Sequence, residues 1–393
     1  MIADSIDVTK LTEADLRSIP LDKDGYEKLK KIEQLLTNEA ATYGLRQEAA
    51  KISLNSLYGV IGNQYFRLYD LDNAEAVTLT GQLIIQWIAR AIDVEMNRIL
   101  KTEGKRYVLY CDTDSVYIHV EKVLEGMLKS TKKPIPEDPS ALAQFKTDLL
   151  DKFCRDHMEN FINNTFRDMT AKVLNGCGDY LRMKREVIAD QALWTAKKRY
   201  ILNVYDDEGI RHKEAEIKKV GVEIAKASAP QFCRDAMLEA VKMLMKGDKQ
   251  GIYDLTERTR AKFYELSPED IAFPRSVNPD GYADADTVWS KGAPLPVKGA
   301  LVYNHLVKTL GLSNKYQLIK QGEKIKYLYL KEPNPTRDRV ISFLNILPRE
   351  FGLHEYIDLA TQFEKSYIEP LNLILTPIGW SAEPRASLDA FWI

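Results

Sequence analysis

With 393 residues, the chain has room for two or three domains, each with its own hydrophobic core. Its 45 % hydrophobic and 28 % charged residues are typical of a soluble globular protein, and no apolar run approaches the roughly 18 to 20 residues that span a bilayer. The N-terminal sequence MIADSIDVTK lacks the basic and apolar segments of a secretory signal, so we expect a cytoplasmic protein. The cysteines are too scattered for a disulfide framework or a zinc site and are predicted to be free thiols: Cys111, Cys154, Cys177 and Cys233.

The sequence pattern predicts an α+β fold. In chain order we predict helices at about 25–58 and 73–100, a strand pair at 107–120, a helical stretch at 141–175, a strand-rich stretch at 181–224 and a mostly helical region from Pro230 onward, interrupted by prolines and by the β-prone run KIKYLYLKE. Glycines at 59 and 62 punctuate the chain after the first helix. The second helix is expected to have an apolar side formed by Ile84, Ile85, Trp87, Ile88 and Ile92. Asp207-Glu208-Gly209 separates two β-prone runs and predicts a hairpin turn.

A pair of aspartates, Asp112 and Asp114, lies between two β-prone arms in YVLYCDTDSVYIHV. In extended backbone, residues two apart point to the same side, so both carboxylates could be presented together. Two like charges repel unless a cation neutralises them, and magnesium prefers carboxylate oxygen. The alternative is an ordinary solvated turn. The apolar and aromatic arms favour a buried hairpin and therefore a metal site for two-metal phosphoryl transfer.

A helical stripe precedes this pair in KISLNSLYG, where Lys51, Asn55 and Tyr58 are spaced by four and three residues. A lysine, an amide and an aromatic ring in a row could hold a triphosphate and cover a base pair, and Gly59 would permit close backbone approach at the helix end. The alternative is an ordinary amphipathic helix that buries the apolar residues Ile52, Leu54 and Leu57.

A basic segment in the middle of the chain makes the net charge of −2 compatible with a nucleic-acid partner, because a local stripe of positive charge can hold a phosphate backbone. Against only Glu186 and Asp190, this segment carries Arg182, Lys184, Arg185, Lys197, Lys198 and Arg199. It includes the run TAKKRYILNV, for which a basic edge strand is the alternative, since lysines on an edge discourage strand pairing.

In combination, KISLNSLYG and, some fifty residues later, YCDTDS closely resemble the family B DNA polymerases, and among them the T-even-type phage enzymes. The resemblance implies that Lys51 and Asn55 hold the nucleotide and that Tyr58 and Gly59 border the nascent base pair. It further implies that Asp114 binds two Mg²⁺ ions directly and that Asp112 supports their placement.

Two further segments extend the resemblance toward the C-terminus. TAKKRYILNV looks like the palm motif that touches the primer, which maps to Lys197, Lys198 and Tyr200, with Asp206 just after the following strand. ASLDAFWI is similar to a clamp-binding tail, whose anchors would be the apolar residues Leu388, Phe391 and Trp392. The alternative for this tail is a terminal strand that packs on its own domain.

One expected motif is missing. Family B enzymes carry a further metal-binding aspartate in a DxxSLYP-like motif upstream of the fingers, and neither this motif nor the exonuclease carboxylates occur here. We therefore predict the C-terminal part of a polymerase that is active only with an N-terminal partner chain carrying the exonuclease. A natural subunit of a split polymerase and a truncated gene are both compatible with this prediction.

The resemblance implies four regions: partial helical fingers (1–58), a palm with an antiparallel sheet and packed helices (59–225), a mostly helical thumb (226–380) and a clamp-binding tail (381–393). The implied function is DNA-directed DNA polymerase, with primer-template DNA, dNTP, the N-terminal chain and a sliding clamp as partners, and no membrane. The compartment is the host cytoplasm if the source is viral. A non-catalytic DNA- and clamp-binding relic and a helix-rich scaffold are the alternatives.

Overall fold

A computed structural model describes residues 8–174, 176, 180–225, 228–284 and 287–384. The chain divides into two compact units, which we call unit 1 (residues up to Val120) and unit 2 (residues from Glu121), and each is described by itself. Small antiparallel sheets combine with packed helices, which confirms the predicted α+β class. In the described ranges, no helix is both long and apolar enough to cross a membrane.

Unit 1 consists of two long helices followed by a hairpin. Its elements are α1 (Glu13–Arg17), α2 (Lys23–Ile61), α3 (Leu71–Leu100), β1 (Val108–Asp112) and β2 (Ser115–Ile118). Acidic side chains begin both long helices: Asp22 accepts a hydrogen bond from the backbone N–H of Gly25, and Asp70 accepts one from that of Asn73. The predicted helices at 25–58 and 73–100 are therefore confirmed.

The glycine prediction needs one correction. Gly59 does not end the first helix: α2 continues through it to Ile61, and Gly62 is the C-cap. A glycine lowers helix stability by only about 1 kcal/mol relative to alanine, so the many good helix formers before it override the interruption. A side chain at Gly59 would meet no atom within 4 Å, so the helix backbone is uncovered at this point.

The apolar side of α3 differs in part from the prediction. Ile88 and Ile92 are fully buried, as expected, together with Ala74 and Met96. Trp87 was expected on the same side, but it is 41 % exposed. At 100° per residue, Trp87 lies well away from the line through Ile88 and Ile92, so a prediction based on apolar character alone assigned it to the wrong face.

Unit 2 begins with helices and a meander of three strands. Its first elements are α4 (Glu121–Ser130), α5 (Pro139–Phe153), a π-helical turn (Cys154–Met158), α6 (Glu159–Lys172), β3 (Val187–Ala196), β4 (Arg199–Asp207) and β5 (Ile210–Val220). The strands form an antiparallel sheet with β4 in the centre. Glu208 and Gly209 make the turn between β4 and β5 with positive φ angles of 51° and 93°, which confirms the predicted hairpin.

The rest of unit 2 combines helices with a second sheet. Its elements are α7 (Gln231–Met245), α8 (Lys249–Phe263), α9 (Pro268–Ile271), β6 (Phe273–Ser276), β7 (Ala283–Asp284), β8 (Val288–Trp289), α10 (Leu295–Thr309), β9 (Lys324–Tyr329), β10 (Val340–Phe343), α11 (Leu359–Phe363), a π-helical turn (Glu364–Ile368) and α12 (Glu369–Leu375). Pro230 is the N-cap of α7, one residue before the helical turn where it was expected. The run KIKYLYLKE contains β9, the central strand of the sheet β10-β9-β6.

One contiguous apolar cluster holds this second part of unit 2 together. It joins α7, α8, α10, β9, β10 and the C-terminal helices, and Phe263, Phe363 and Tyr367 are fully buried in it. The rings of Phe263 and Phe363 meet edge to face at 5.1 Å, and those of Phe363 and Tyr367 stack at 5.2 Å. Such aromatic pairs contribute about 0.5 to 1.5 kcal/mol beyond the area that they bury.

Candidate active site

The two aspartates lie at the turn of the hairpin β1–β2. Asp112 is the last residue of β1 and pairs with Ser115, the first of β2, so Thr113 and Asp114 form a two-residue turn. The backbone N–H of Asp114 donates to the carbonyl of Asp112 over 2.6 Å. The predicted geometry, two carboxylates on one side of an extended strand, is wrong, because the chain reverses between them.

Backbone strain marks this turn. Thr113 has φ 53°, in the left-handed region. A β-branched residue rarely adopts this conformation, which costs on the order of 1 to 2 kcal/mol, and such strained positions cluster at functional sites. The sequence itself gives no glycine or asparagine that would relieve the cost. The strain therefore supports a functional interpretation of the turn over an ordinary solvated one.

The two carboxylates have different surroundings. Asp112 is half-buried, and its Oδ1 accepts a hydrogen bond from Thr113 Oγ1 at 3.1 Å, while its carbonyl accepts one from Ser115 Oγ at 3.1 Å. Asp114 is exposed at the tip. The arrangement suits the roles that the resemblance implies, with an accessible carboxylate at Asp114 and a supported one at Asp112.

The arms of the hairpin are less buried than predicted. Both strands are half-buried for most of their length, and Leu109 is 54 % exposed, whereas Tyr107, just before β1, is buried. Tyr110 and Tyr117 are cross-strand partners with ring centroids 5.9 Å apart. Such cross-strand pairs stabilise a hairpin by a few tenths of a kcal/mol up to about 1 kcal/mol.

Helix α3 anchors the hairpin through two residues that the sequence reasoning missed. Oδ1 of Asp93 accepts hydrogen bonds from the backbone N–H groups of Tyr107 (2.7 Å) and Val108 (2.9 Å), where β1 begins. One turn later, Asn97 binds the backbone of Lys105 through both its oxygen (3.1 Å) and its nitrogen (2.7 Å). The only signal in the sequence is a pair of polar residues four apart, next to the buried face of α3.

Cys111 precedes the aspartate turn and is half-buried. Burial raises the pKa of its thiol, and the negative charge of Asp93 adds to the effect. The thiol therefore stays protonated at neutral pH, and a protonated thiol is neither a nucleophile nor a metal ligand. Cys154 and Cys233 are also free, as predicted, whereas Cys177 lies outside the described residues.

The helical stripe of α2 is present and exposed. Lys51, Asn55 and Tyr58 all lie in the helix with exposed side chains, and the Tyr58 hydroxyl lies 3.4 Å from the carbonyl of Ala74 on α3. The alternative, an amphipathic helix that buries its apolar residues here, is wrong for this chain: Ile52, Leu54 and Leu57 are each more than half exposed.

In unit 2, Lys197 and Lys198 form the two-residue turn between β3 and β4, and both side chains are exposed. The alternative of a basic edge strand is wrong, since the lysines lie in a turn and β4 is the central strand of its sheet. Lys198 has φ 62°, so this turn, like the aspartate turn, contains a strained residue. Tyr200 follows on β4 and packs against Trp194, with ring centroids 6.4 Å apart.

A glycine determines where the lysine turn sits. Gly221, directly after β5, has φ 65°, and a Cβ atom there would lie 2.1 Å from the carbonyl oxygen of Lys198. No side chain fits at that distance, so the close approach of the two backbones requires glycine. The contact holds the turn against the end of the neighbouring strand.

Asp206 was placed after the strand among the DNA-binding residues, and this position is wrong. It lies inside β4 and has no exposed surface. Its Oδ1 binds the guanidinium of Arg185 and accepts from the backbone N–H of Gly209 at 2.9 Å. Arg211 Nε lies 2.8 Å from Oδ2, close enough for an ion pair although not aligned as a hydrogen bond.

The ion pairs around Asp206 also divide the basic segment. Arg185 NH2 lies 2.6 Å from Asp151 on α5, and Arg199 is paired with Glu223. The charges of these two arginines are therefore neutralised by ion pairs within unit 2. The exposed positive charges of the segment are Arg182 and Lys184 before β3 and the two lysines of the turn between β3 and β4.

Leu388, Phe391 and Trp392 lie outside the described residues. Within the described ranges, no three or more His, Cys, Asp or Glu side chains form a group that could hold a metal ion. The Asp112–Asp114 turn, with its two oxygen-donor side chains, fits part of a Mg²⁺ ligand set, since this ion usually takes one or two carboxylates and further oxygen ligands.

A family model described as DNA polymerase family B matches residues 26–132, which include the α2 stripe and the aspartate turn. The DNA-directed DNA polymerase of Escherichia phage RB69 is 33 % identical over 383 residues, covering 92 % of this chain and 41 % of that protein. This chain belongs to DNA polymerase family B.

Other family B relatives agree. The DNA-directed DNA polymerase of Enterobacteria phage T4 is 33 % identical over 352 residues, covering 86 % of this chain and 38 % of that protein. DNA polymerase 1 of Aeropyrum pernix is 24 % identical over 312 residues, covering 76 % of this chain and 26 % of that protein. The chain thus spans about two fifths of the length of the two phage polymerases.

Proposed function

We propose that this chain is the part of a DNA-directed DNA polymerase that binds the nucleotide and the primer and supplies two of the metal-binding carboxylates. The main support for this proposal is the strained turn with Asp112 and Asp114, which lies in the segment that matches family B. Asp93 of α3 anchors the hairpin that carries this turn. In this reaction the primer 3′-hydroxyl attacks the α-phosphorus of a dNTP. A phosphodiester bond forms as the bond to pyrophosphate breaks.

Two side chains hold the metal ions in this proposal. Asp114, exposed at the tip, binds Mg²⁺ directly, and Asp112, already hydrogen-bonded, fixes the position of the turn. Bound Mg²⁺ would stabilise the negative charge that develops on the transferred phosphoryl group. Phosphoryl transfer depends mostly on position and charge, so a rigid turn is a suitable platform.

The α2 stripe binds the nucleotide. The ammonium group of Lys51 contacts the triphosphate, the amide of Asn55 lies one turn further along, and the ring of Tyr58 borders the new base pair. Their exposure on one face supports this role, as does the hydrogen bond that ties Tyr58 to α3. Gly59 leaves the helix backbone open to a close approach at the same place.

The lysine turn binds the primer-template. Lys197 and Lys198 are exposed on a strained turn, and each neutralised phosphate releases counterions, so binding should weaken with salt. Tyr200 lies next to this turn on β4. We assign Asp206 to the support of the sheet instead, because a side chain without exposed surface cannot touch DNA.

A further polypeptide completes the active site. A two-metal centre needs more ligands than Asp112 and Asp114, and no third carboxylate joins them among the described residues. Family B polymerases of phages RB69 and T4 are more than twice as long as the segment that they share with this chain. We assign the missing ligand and an exonuclease domain to that additional part and place the activity in the cytoplasm of the host cell.

The C-terminal tail binds a sliding clamp in this proposal. Leu388, Phe391 and Trp392 are apolar residues close to the chain end, and a short apolar peptide can dock into a groove of a partner. Deletion of residues 388–393, which keeps the buried Ala382 and the ion pair of Glu383 in place, should abolish stimulation by a clamp and leave synthesis on short templates unchanged. Equal stimulation of both proteins would contradict this role.

The decisive experiment is magnesium-dependent primer extension by the full chain, alone and with a polypeptide that carries the rest of a family B polymerase. We expect synthesis only in the second case. Asp114→Ala should abolish it and leave DNA binding intact, whereas Asp168→Ala, which removes an exposed aspartate of α6, serves as the control and should have no effect.

Each result has a separate meaning. Robust synthesis by the chain alone would contradict the need for a second polypeptide. Synthesis by Asp114→Ala would contradict the metal assignment. Salt-dependent DNA binding without synthesis in the reconstituted complex would favour the second candidate, a non-catalytic DNA- and clamp-binding protein, for which the short carboxylate set of the described residues is the supporting observation.

A further inference from the structure

Helix α3 has two apolar faces. One is the buried face with Ile88, Ile92 and Met96. The other is exposed and consists of residues spaced by four, four and seven, which places them on one line along the helix; we call it the α3 outer face, and it comprises Leu79, Leu83, Trp87 and Val94. The exposed fractions of these side chains run from 41 % to 71 %. A helix that is apolar on opposite sides is normally covered on both.

Helix α2 has an uncovered apolar line as well. Leu36, Tyr43, Leu54 and Leu57 are separated by seven, eleven and three residues, or about two, three and one helical turns, and all four are exposed. Every residue from 40 to 59 is exposed, so this half of the helix lacks cover on all sides. Isolated helices are only marginally stable in water, because most helix stability in proteins comes from packing of an apolar face.

Lines of exposed apolar residues along long helices are a feature of unit 1, whereas the exposed apolar residues of unit 2 are scattered. The helices of unit 2 bury their apolar faces: Met237 and Val241 of α7 are buried, and so are Val297 and Val307 of α10. Scattered single apolar residues on a surface need no explanation, but continuous lines on two adjacent helices mark an interaction site. Arg90, also exposed, lies on the same line between Trp87 and Val94, so the α3 outer face carries a positive charge as well.

We propose that the α3 outer face and the apolar line of α2 dock the part of a family B polymerase that this chain does not span. The inference rests on the proposed function and deepens it by naming the surface. Three observations select this occupant over a second copy of the chain. First, about three fifths of the length of the phage relatives lies outside the shared segment. Second, the exposed helices belong to the segment that matches the family. Third, the same unit holds the incomplete carboxylate set of the described residues.

The chemistry of the occupant follows from the surface. Leucine, valine and tryptophan side chains at helical spacing are complementary to an apolar helix that lies along them, as in helix-in-groove recognition. An occupant that covers this face lies beside α3, the helix whose Asp93 and Asn97 hold the hairpin. It can therefore deliver a further carboxylate to the aspartate turn from the same unit.

The test measures binding between the full chain and a separate polypeptide that comprises the part of the phage RB69 polymerase outside the shared segment. Calorimetry gives the dissociation constant, and light scattering gives the stoichiometry. We expect a one-to-one complex. The double variant Leu79→Gln and Leu83→Gln should bind at least tenfold more weakly and keep its helix content, since glutamine is a good helix former.

A matched control replaces exposed apolar residues of unit 2. Leu310→Gln with Ile346→Gln removes side chains that are 49 % and 65 % exposed, and it should bind like the wild type. Failure to form the complex, equal weakening by both double variants or a homodimer that the Leu79 and Leu83 changes dissolve would overturn the proposal, as would binding to lipid vesicles through this face. Because the measurement contains no nucleotide, a complex without synthesis would contradict only the proposed function.

Discussion

Units 1 and 2 differ in how much of their apolar side chains they bury. Among the described residues, most of the large exposed apolar side chains lie in unit 1, whereas most of the large fully buried ones lie in unit 2. In unit 2, the second part closes around one contiguous core, and the first part ties its sheet to α5 with buried ion pairs. Unit 1 carries the family B motifs on two long helices that remain partly uncovered. The comparison indicates that the best-packed region of this chain is unit 2, whereas the α2 stripe and the aspartate turn lie in unit 1.

The buried ion pairs give the largest predicted effect. Asp206→Leu removes the carboxylate that Arg185 and Arg211 share and leaves two guanidinium groups without it. Removal of one partner from a buried pair costs about 3 to 5 kcal/mol, so we expect the free energy of unfolding of unit 2 to fall by that amount. Guanidinium chloride unfolding followed by fluorescence checks this. A loss below about 1 kcal/mol would mean that the pairs lie in a solvated environment.

A pair of matched leucines tests the comparison directly. Leu328→Ala on β9 creates a cavity in the core of unit 2 and should cost about 2 to 5 kcal/mol. Leu83→Ala on α3 removes an exposed side chain and should change stability by less than about 0.5 kcal/mol in the chain alone. Both values come from the same denaturation experiment. Equal losses would show that the α3 outer face is covered within this chain.

The anchor of the hairpin gives a local effect of intermediate size. Asp93→Ala removes the acceptor for the backbone N–H groups of Tyr107 and Val108. Hydrogen bonds to charged groups contribute about 1.5 to 3 kcal/mol each, so hydrogen exchange at these two amides should accelerate strongly. Exchange in α10 serves as the internal control. Unchanged protection at the two amides would mean that other contacts hold the hairpin.

The smallest effect concerns pH and a surface pair of unit 2. Lys315, by hydrogen bonding, lowers the pKa of Glu350 to about 2, with further help from the backbone and from Tyr316. A carboxylate with a lowered pKa contributes stability above its ordinary value, here 4.5, and loses that contribution as the pH falls toward 2. Glu350→Gln should therefore have a slightly lower melting temperature than the wild type at pH 7. The difference should vanish near the folded pKa, and a difference independent of pH would contradict the assignment.

Sequence reasoning predicted the elements that local signals determine. The helices α2 and α3 begin at aspartate caps and contain long runs of good helix formers, and the turn at Glu208 and Gly209 follows from its residue types. The motifs of α2 and of the aspartate turn were recognisable in combination, through their resemblance to family B DNA polymerases.

Features that depend on tertiary partners could not be predicted. The exposure of Trp87 depends on which face of α3 finds a partner, and the burial of Asp206 depends on arginines 21 residues before it and five after it. Thr113 adopts a positive φ that its side chain disfavours, so residue propensities could indicate the hairpin but not the conformation of its turn. Asp93 shows its role only once the hairpin lies against the helix.

Gly221 offers a way to separate the number of charges from their position. Alanine at this site would place a methyl carbon 2.1 Å from the carbonyl of Lys198 and force the lysine turn away from its sheet, without the loss of a single ammonium group. The slope of DNA affinity against salt reports how many counterions are released, whereas the affinity at fixed salt also depends on fit. Gly221→Ala should therefore lower the DNA affinity at fixed salt and keep the slope. The loss of affinity in this variant then reports how much of DNA binding depends on the position of the lysine turn.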